Sequence, residues 1–507
     1  YNYGYSPAKQ EMWDTYETVI PEDSIYYLMR SAENLHGTTR KHTLTYTPRY
    51  QLTDNSTIDL QYSFNTSNSE ENNFTRTVFE NGSEPESLSR VGINGNSKSH
   101  ALWLRYDNRL GDDAKKRLTI SVNYFNLRDS KDNRVMEHFL QATEQVDTNY
   151  TNYRQVYKNQ TFNASVDYMF SLGEDWKMEA GVNYGKLWID NRMCREDNFS
   201  NDCSNTENAS LYLDMNKSIG RFYCQLGVRG EYGDGRFYFV PSAGISYRVK
   251  DDLNFMLYYR RHVEYPSASD LNANIFYFHK YLYSVGNPDL KPTVVNHLRA
   301  HFSFPLNIGL TCEYFYRKDN AVTSTLTDKN NPQMVVITQD NLDKTHDLGL
   351  TLSWNRTWGC YNLNMAAGYK QYWGTDPMIS SDGKHKPMLY AYARHTFDLG
   401  KHISASMYMF YQTAYYYYNV YSRDRYNLSP QVTFLLLKKR LNIRIAGDCL
   451  LYEGNYYSRD RYGHTLSISE YDHHPRTLSI GVTYYLNNFI DLFKPNETGE
   501  EMIKRAY

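Results

Sequence analysis

Leu118-Thr119-Ile120-Ser121-Val122-Asn123-Tyr124-Phe125 changes character at every residue. In an extended chain Leu118, Ile120, Val122 and Tyr124 point one way, and Thr119, Ser121, Asn123 and Phe125 the other. The pattern returns after a long polar gap, where Phe162, Ala164, Val166, Tyr168 and Phe170 oppose Asn163, Ser165, Asp167 and Met169. A tight turn over 171–175 then leads into Met178, Ala180, Val182 and Tyr184, set against Lys177, Glu179, Gly181 and Asn183. Strands of about ten residues with one apolar and one polar face suit a closed sheet with lipid outside and water inside. The sequence therefore predicts an all-β protein, a transmembrane antiparallel β-barrel.

The turns give the organisation. Short polar turns recur at 52–55, 110–115, 171–175, 216–220, 249–252, 305–309, 355–359, 398–402 and 437–440. Between them lie long connections rich in Asn, Asp, Ser and Tyr, over 65–100, 128–159, 187–207, 262–293, 317–345, 371–386 and 452–474, with 231–236 the short exception. Short turns belong on the periplasmic side of such a barrel and long loops outside. Pairing the segments predicts about 20–22 strands, the even total being favoured for a bacterial single chain. Residues 1–40 read as an irregular start, 41–486 as the barrel and 487–507 as a periplasmic tail. A barrel this wide needs its lumen closed, and no stretch of the chain reads as a plug.

Composition agrees once the alternation is taken into account. The 507 residues are hydrophilic on average, because half of each strand is polar, and no apolar run approaches the roughly 20 residues of a membrane-spanning helix. With 50 Tyr, 22 Phe and 7 Trp, aromatic residues make 16% of the chain, as suits rings seated at two lipid–water boundaries. Later strands repeat the division: Leu348, Leu350, Leu352 and Trp354 oppose Asp347, Gly349, Thr351 and Ser353, and the inward sets carry the charge. A net charge of −2 gives no basis for binding nucleic acid. Tyr1-Asn2-Tyr3-Gly4 lacks the charged and apolar parts of a signal peptide, so the chain is expected to begin within a mature protein or a larger one.

Few residues stand out as chemical groups. Gly286-Asn287-Pro288 with Pro292 reads as a turn, Gly permitting positive φ and the prolines stiffening the return to the strand, rather than as a ligand contact. Tyr415, Tyr416, Tyr417 and Tyr418 lie at an outer rim, where tyrosines grip a sugar or peptide at low entropic cost; packing within an aromatic girdle is the simpler alternative. The hexapeptide Tyr-Ser-Arg-Asp-Arg-Tyr occurs at 421–426 and 457–462, in neighbouring outer loops that can pack together, although chance duplication or a shared structural role is the simpler account. Cys194 and Cys203, nine residues apart in one polar loop, are expected to close a disulfide in an oxidising compartment. Cys224, Cys312 and Cys449 fall at lipid-facing positions and Cys360 at an inward one, and none has zinc-site spacing. His473-His474 beside Asp472 reads as a solvated loop rather than a metal site. No Gly-x-Ser-x-Gly elbow, P-loop or His-Glu-x-x-His is present, so neither an enzyme nor a cofactor is predicted.

The stretch 259–297 adds a resemblance. Tyr259-Arg260-Arg261, then Tyr265-Pro266-Ser267-Ala268-Ser269-Asp270-Leu271-Asn272, then Gly286-Asn287-Pro288-Asp289-Leu290-Lys291-Pro292 resembles a signature of TonB-dependent receptor barrels, in which Arg261, Pro266, Gly286, Asn287, Pro288 and Pro292 are the motif positions. Gly227-Val228-Arg229-Gly230-Glu231 and Pro241-Ser242-Ala243-Gly244 resemble the preceding strands, and 476–485 the last strands of the Bacteroidota-type outer-membrane branch. The resemblance implies a gated transporter for a ligand too large or scarce for porins, with outer-membrane lipid, a surface lipoprotein and, where a plug exists upstream, TonB as partners. It departs from the family in showing no plug or TonB-engaging segment, which leaves a plugless scaffold for surface lipoproteins as the alternative. The ligand, whether sugar, peptide or metal chelate, is not specified.

Overall fold

Alternation becomes strand throughout the computed structural model. The structure describes residues 2–484 apart from 21–24, 80–85, 112–115, 141–145, 174–175, 196–197, 329, 332, 375–385, 419, 439, 454–455, 463–464 and 473–476. Among the described residues, 28 strands join in one sheet. Wall neighbours pair antiparallel: Ser121, Ser165 and Asn183 stand side by side on one face, and Val122, Ala164 and Tyr184 on the other. The first strand, Asn2–Ile20, pairs with Ile25–Tyr46 and also with Thr465–Asp472 near the far end of the chain. That second pairing, Glu11 opposite Asp472 to Thr18 opposite Thr465, brings the first strand against the end of the described chain, as a closed barrel requires.

The outer surface carries two aromatic belts with an apolar band between them. In the first, Tyr314 and Trp373 flank His346, whose ring stacks on Trp373 at 5.2 Å. In the second, Tyr361 stacks on Trp358 at 5.7 Å and on Phe397 at 4.8 Å, beside Trp354. His346 and Trp354 share the strand Val335–Trp358, with Leu348, Leu350 and Leu352 between them on the same face. Eight residues of strand tilted ~40° rise roughly 20 Å along the barrel axis, close to the ~25 Å apolar band of an outer-membrane barrel. Tyr and Trp rings at both boundaries keep their bodies in lipid and their polar tips in water.

Short turns fall where the sequence places them. Gly220 (φ 57°) and Gly359 (φ 55°) supply the left-handed backbone at two of them, and Leu306 (φ 66°) and Asn307 (φ 59°) do so without glycine. The short outer connection is a two-residue turn, Asp234 (φ 51°) and Gly235 (φ 70°), joining Phe222–Gly233 to Arg236–Lys250. Cys360 lies within the turn at 359–360, not on the inner face, and Cys449 leaves its strand at φ 53° instead of facing lipid.

Two expectations about where strands run also fail. Residues 1–40 are not irregular: Asn2–Ile20 and Ile25–Tyr46 pair from Asn2 opposite Thr43 to Ile20 opposite Ile25. Short apolar stretches there had no clean period, but each strand gains a full ladder of backbone hydrogen bonds from its neighbours. Four of the expected outer loops are also largely strand. Ser56–Phe79 with Glu86–Leu110, Lys116–Leu140 with Val146–Leu172, Trp176–Arg195 with Asn198–Ile219, and Ile308–Thr327 with Val335–Trp358 are hairpins that continue well past the apolar band. His473, His474 and the tail 487–507 lie outside the described residues.

Candidate functional site at the outer mouth

Beyond the outer belt the apolar residues change sides. On Lys116–Leu140 the lipid face holds Leu118, Ile120, Val122 and Tyr124, whereas further out Phe125, Leu127, Val135 and Phe139 are buried on the opposite, inner face. Leu187 and Ile189 do the same on Trp176–Arg195, and Val91 on Glu86–Leu110. Water surrounds these extensions, so an apolar inner face persists only if it is covered.

The cover is residues 265–292, expected outside as a solvated loop and found inside. The segment leaves Leu253–Glu264 and returns through Thr293–Phe304, two strands paired with each other, Glu264 opposite Thr293. Tyr281 and Leu282 pack with Tyr16, Met29 and Phe79, side by side on three neighbouring strands, and with Val335 on a distant one, the Phe79 and Tyr281 rings being in edge contact at 4.8 Å. Polar anchors complete the contact. Lys280 N–H donates to Glu137 Oε1 (2.5 Å), Tyr153 OH to Tyr277 O (3.2 Å), and Asn274 Nδ2 to Asn191 O (3.2 Å). Ser200 Oγ donates to Asn274 Oδ1 (2.9 Å) and Ala273 N–H to Asp202 Oδ2 (3.1 Å). Leu282–Ser284 also lies parallel to Val335–Ile337, and this pairing runs against the antiparallel rule of the wall. Full burial pushes His279 down to about 3, so its ring is neutral and Nδ1 accepts from Tyr281 N–H (3.3 Å).

The motif residues hold this segment in place. After Pro266, Ser267 donates both its N–H (3.0 Å) and its hydroxyl (2.6 Å) to Asp270 Oδ2. Gly286 N–H donates to Asn272 O (2.8 Å) and Asn287 N–H to Asp270 O (2.6 Å), so two parts of the segment clamp together. Gly286 is not at positive φ, contrary to the reason read from the sequence. A Cβ there would lie 2.6 Å from Asn272 N and Asp270 O and 2.7 Å from Asn272 O, so close backbone approach is what requires glycine. Asn287 Nδ2 donates to Gln339 O (3.1 Å), and Asn341 bonds both backbone groups of Lys291, between exposed Pro288 and buried Pro292. Arg261 lies just before, opposite Asn296 in the strand pair.

Tyr415–Tyr417 and Val420–Ser422 form a small hairpin that also turns inward. Tyr418, only 4% exposed and at φ 53°, donates its hydroxyl to Asp347 Oδ1 (2.6 Å), while Arg317 pairs with the same carboxylate and reaches the Tyr418 oxygen at 3.5 Å. Tyr372 touches the rings of Tyr415, Tyr417 and Tyr418, and Tyr416 touches Tyr421. Three of the four candidate tyrosines thus share one aromatic cluster on the inner wall. Asp347→Ala orphans a mostly buried guanidinium and the Tyr418 hydroxyl, and is expected to cost about 2 kcal/mol in urea unfolding; Tyr418→Phe is expected to cost about 1 kcal/mol. The two hexapeptide copies meet as well, Tyr421 opposite Arg459 and Ser422 opposite Ser458.

A profile of the outer membrane protein beta-barrel family matches residues 110–484. The chain belongs to that family. No curated protein matches its sequence. In fold, this outer-membrane barrel is similar to the ferric enterobactin receptor PfeA of Pseudomonas aeruginosa, in a mutant form, with TM-score 0.51, 10% identity, and 92% of this chain and 81% of that one covered. It is also similar to the siderophore receptor PirA of Acinetobacter baumannii (TM-score 0.50, 11% identity) and to the outer membrane transporter YddB of Escherichia coli (TM-score 0.50, 12% identity), each again at 92% and 81% coverage. The protein is thus a multi-pass β-barrel of the outer membrane, in contact with its lipid.

Near the root of the inward segment, the inner wall of this outer-membrane barrel lines an open pocket of about 560 Å³. Tyr212, Arg229, Glu231, Arg260, His262 and Glu264 line it, a mixture of both charges and hydrogen-bonding groups. The expected disulfide does not fit the hairpin register. Cys194 stands opposite Phe199 and Cys203 opposite Asp190, four residues apart, about 13 Å along the strands against the ~7 Å a disulfide spans. The sequence reading also missed Tyr281 and Leu282 as packing residues. A signal was there: Ile275-Phe276-Tyr277-Phe278 and Tyr281-Leu282-Tyr283 are too apolar for a solvated loop.

Proposed function

We propose that this barrel is a TonB-dependent outer-membrane transporter, importing a hydrophilic ligand too large or scarce to diffuse through porins. The observation that carries this reading is a wide barrel whose outer mouth is occupied by its own segment 265–292, anchored on strands from several sides. An open diffusion pore has no use for such a closure; a gated importer does. The likeness of fold to barrels named as siderophore receptors and a transporter supports the reading. Tyr415, Tyr416 and Tyr417 and the mixed-charge pocket offer stacking and hydrogen bonds to a polar ligand. A surface lipoprotein over the extended hairpins, and TonB acting through a plug, are the partners this proposal entails. The test is uptake of a panel of size-graded oligosaccharides, peptides and ferric chelates in cells with and without the protein. Uptake of one class is expected to disappear on deletion and, equally, on collapse of the proton-motive force. Uptake that survives uncoupling would overturn the proposal.

A further inference from the structure

Where the strands Asn2–Ile20, Ile25–Tyr46, Ser56–Phe79 and Glu86–Leu110 meet beyond the membrane, their inner faces form rows. Tyr16, Met29 and Phe79 make an apolar row beneath Tyr281 and Leu282. The next row inward is Asp14, Ser31, Thr77 and Ser87, and the one after it holds Glu33, Thr75 and Ser89, with Asn73 diagonal to Glu33. All are buried, Asp14 being 3%, Glu33 5% and Thr77 0% exposed. Asn73 Nδ2 donates to Glu33 Oε2 (3.0 Å), and the Ser469 hydroxyl bonds Asp14. What remains is oxygen: Asp14 Oδ1, Glu33 Oε1, Asn73 Oδ1 and the hydroxyls of Ser31, Thr75, Thr77, Ser87 and Ser89 have no hydrogen-bond partner. Among the described residues neither carboxylate has a cationic partner. Burial pushes both up, Asp14 to about 6 and Glu33, which also feels Asp14, to about 7. Two buried carboxylates without a counter-charge are costly. Asp14 and Glu33 lie diagonally on neighbouring strands, with the Ser31 hydroxyl beside the first and the Thr75 hydroxyl beside the second, so one small body can face these oxygens.

We propose that the outer hairpins bind a hard divalent cation, of the calcium class, between Asp14 and Glu33, with the Ser31 and Thr75 hydroxyls and water completing an all-oxygen shell. Calcium takes six to eight oxygen ligands in irregular geometry, and extracellular modules bind it at ~10⁻⁴–10⁻³ M. The cation ties the first strands together beneath the Tyr16, Met29 and Phe79 row that receives the inward segment. Hydrogen exchange of the full protein in detergent, after chelation and again in about 5 mM calcium chloride, tests this, since ligand binding slows local opening by about 1 + [L]/Kd, here roughly tenfold. Backbone amides over 12–16, 29–35 and 73–77 are expected to slow about tenfold with calcium, and Asp14→Asn with Glu33→Gln to lose that response while the barrel still resists SDS until heated. Exchange in the natural protein that does not respond to calcium, the carboxyls being held as acids or the oxygens bridged by water, would overturn the proposal. So would an equal response in the double variant.

Discussion

Bridging the inward segment to the wall is expected to abolish uptake reversibly. Ser200 and Asn274 touch at 2.9 Å, one on the strand Asn198–Ile219 and the other in the segment. Ser200→Cys with Asn274→Cys, in a background carrying Cys194→Ser and Cys203→Ser, can be joined by oxidation or by a short thiol cross-linker. Withdrawal of the segment must expose Tyr281 and Leu282 and uncover Met29 and Phe79, each burial being worth about 1.5–3 kcal/mol. The closed state is therefore favoured by several kcal/mol, and about 5.5 kcal/mol of differential binding or coupled work is needed to invert a 99:1 population. A covalent bridge places opening beyond any such input. Uptake of the transported class is expected to fall by at least about tenfold in the bridged protein and to return on reduction. Unchanged uptake through the bridged barrel would mean that ligand passes beside the segment, and the gate reading would be lost.

The membrane-spanning half of this protein is plain in its sequence, and the mouth is not, for one physical reason. Between the belts the solvent on the outside is lipid, so Leu118, Ile120, Val122 and Tyr124 announce the strand and its outward face together. Past Tyr124 the outside is water and the inside is the chain's own segment, so the apolar set moves to Phe125, Leu127, Val135 and Phe139. The period of two persists while its phase inverts. Read without a partner for the new apolar face, the inverted stretch passes for loop. The partner, 265–292, lies far away in sequence and carries turn-forming residues that argue for exposure, Ser267 to Asp270 and Gly286-Asn287-Pro288. Its contacts with Met29, Phe79, Glu137 and Ser200 are all long-range, and no local pattern encodes them.

The cysteine pair shows the same limit from the other side. A spacing of nine positions from Cys194 to Cys203 is compatible with a closed loop, but in a strand hairpin the partner of a residue is fixed by register alone. Asp190 takes the place opposite Cys203 because the ladder starts at Trp176 opposite Lys217, more than a dozen residues away. Tyr418 makes a related point. Its neighbours mark an aromatic surface, yet its own hydroxyl is committed to Asp347, and the inward alternation of Arg317 and Asp347 was the one sign of that partner in the sequence.

Gly286→Ala is expected to release the segment while leaving the wall intact. The added methyl would stand 2.6–2.7 Å from Asn272 N, Asp270 O and Asn272 O, all backbone atoms that are themselves joined by the Gly286 and Asn287 N–H bonds. Relief requires parting the clamp, which loses two hydrogen bonds and leaves buried polar groups unpaired, roughly 3 kcal/mol together. Positive φ plays no part here, so D-alanine-like relief or a change of turn type cannot help. Gly92→Ala is the control: its new Cβ meets only the Asn72 side-chain oxygen at 3.7 Å, ordinary contact, and the expected effect is within about 0.5 kcal/mol. Limited trypsin digestion of folded protein reads the difference, because Lys280, followed by Tyr281, lies within the segment, whereas the Lys291–Pro292 bond resists trypsin. Cleavage after Lys280 is expected to quicken by about a hundredfold in Gly286→Ala, as local opening becomes roughly 3 kcal/mol easier, with SDS resistance retained and Gly92→Ala unchanged. Equal cleavage of both variants would show that the Gly286 clamp is not what holds the mouth closed. Loss of SDS resistance in Gly286→Ala would show instead that the clamp supports the wall itself.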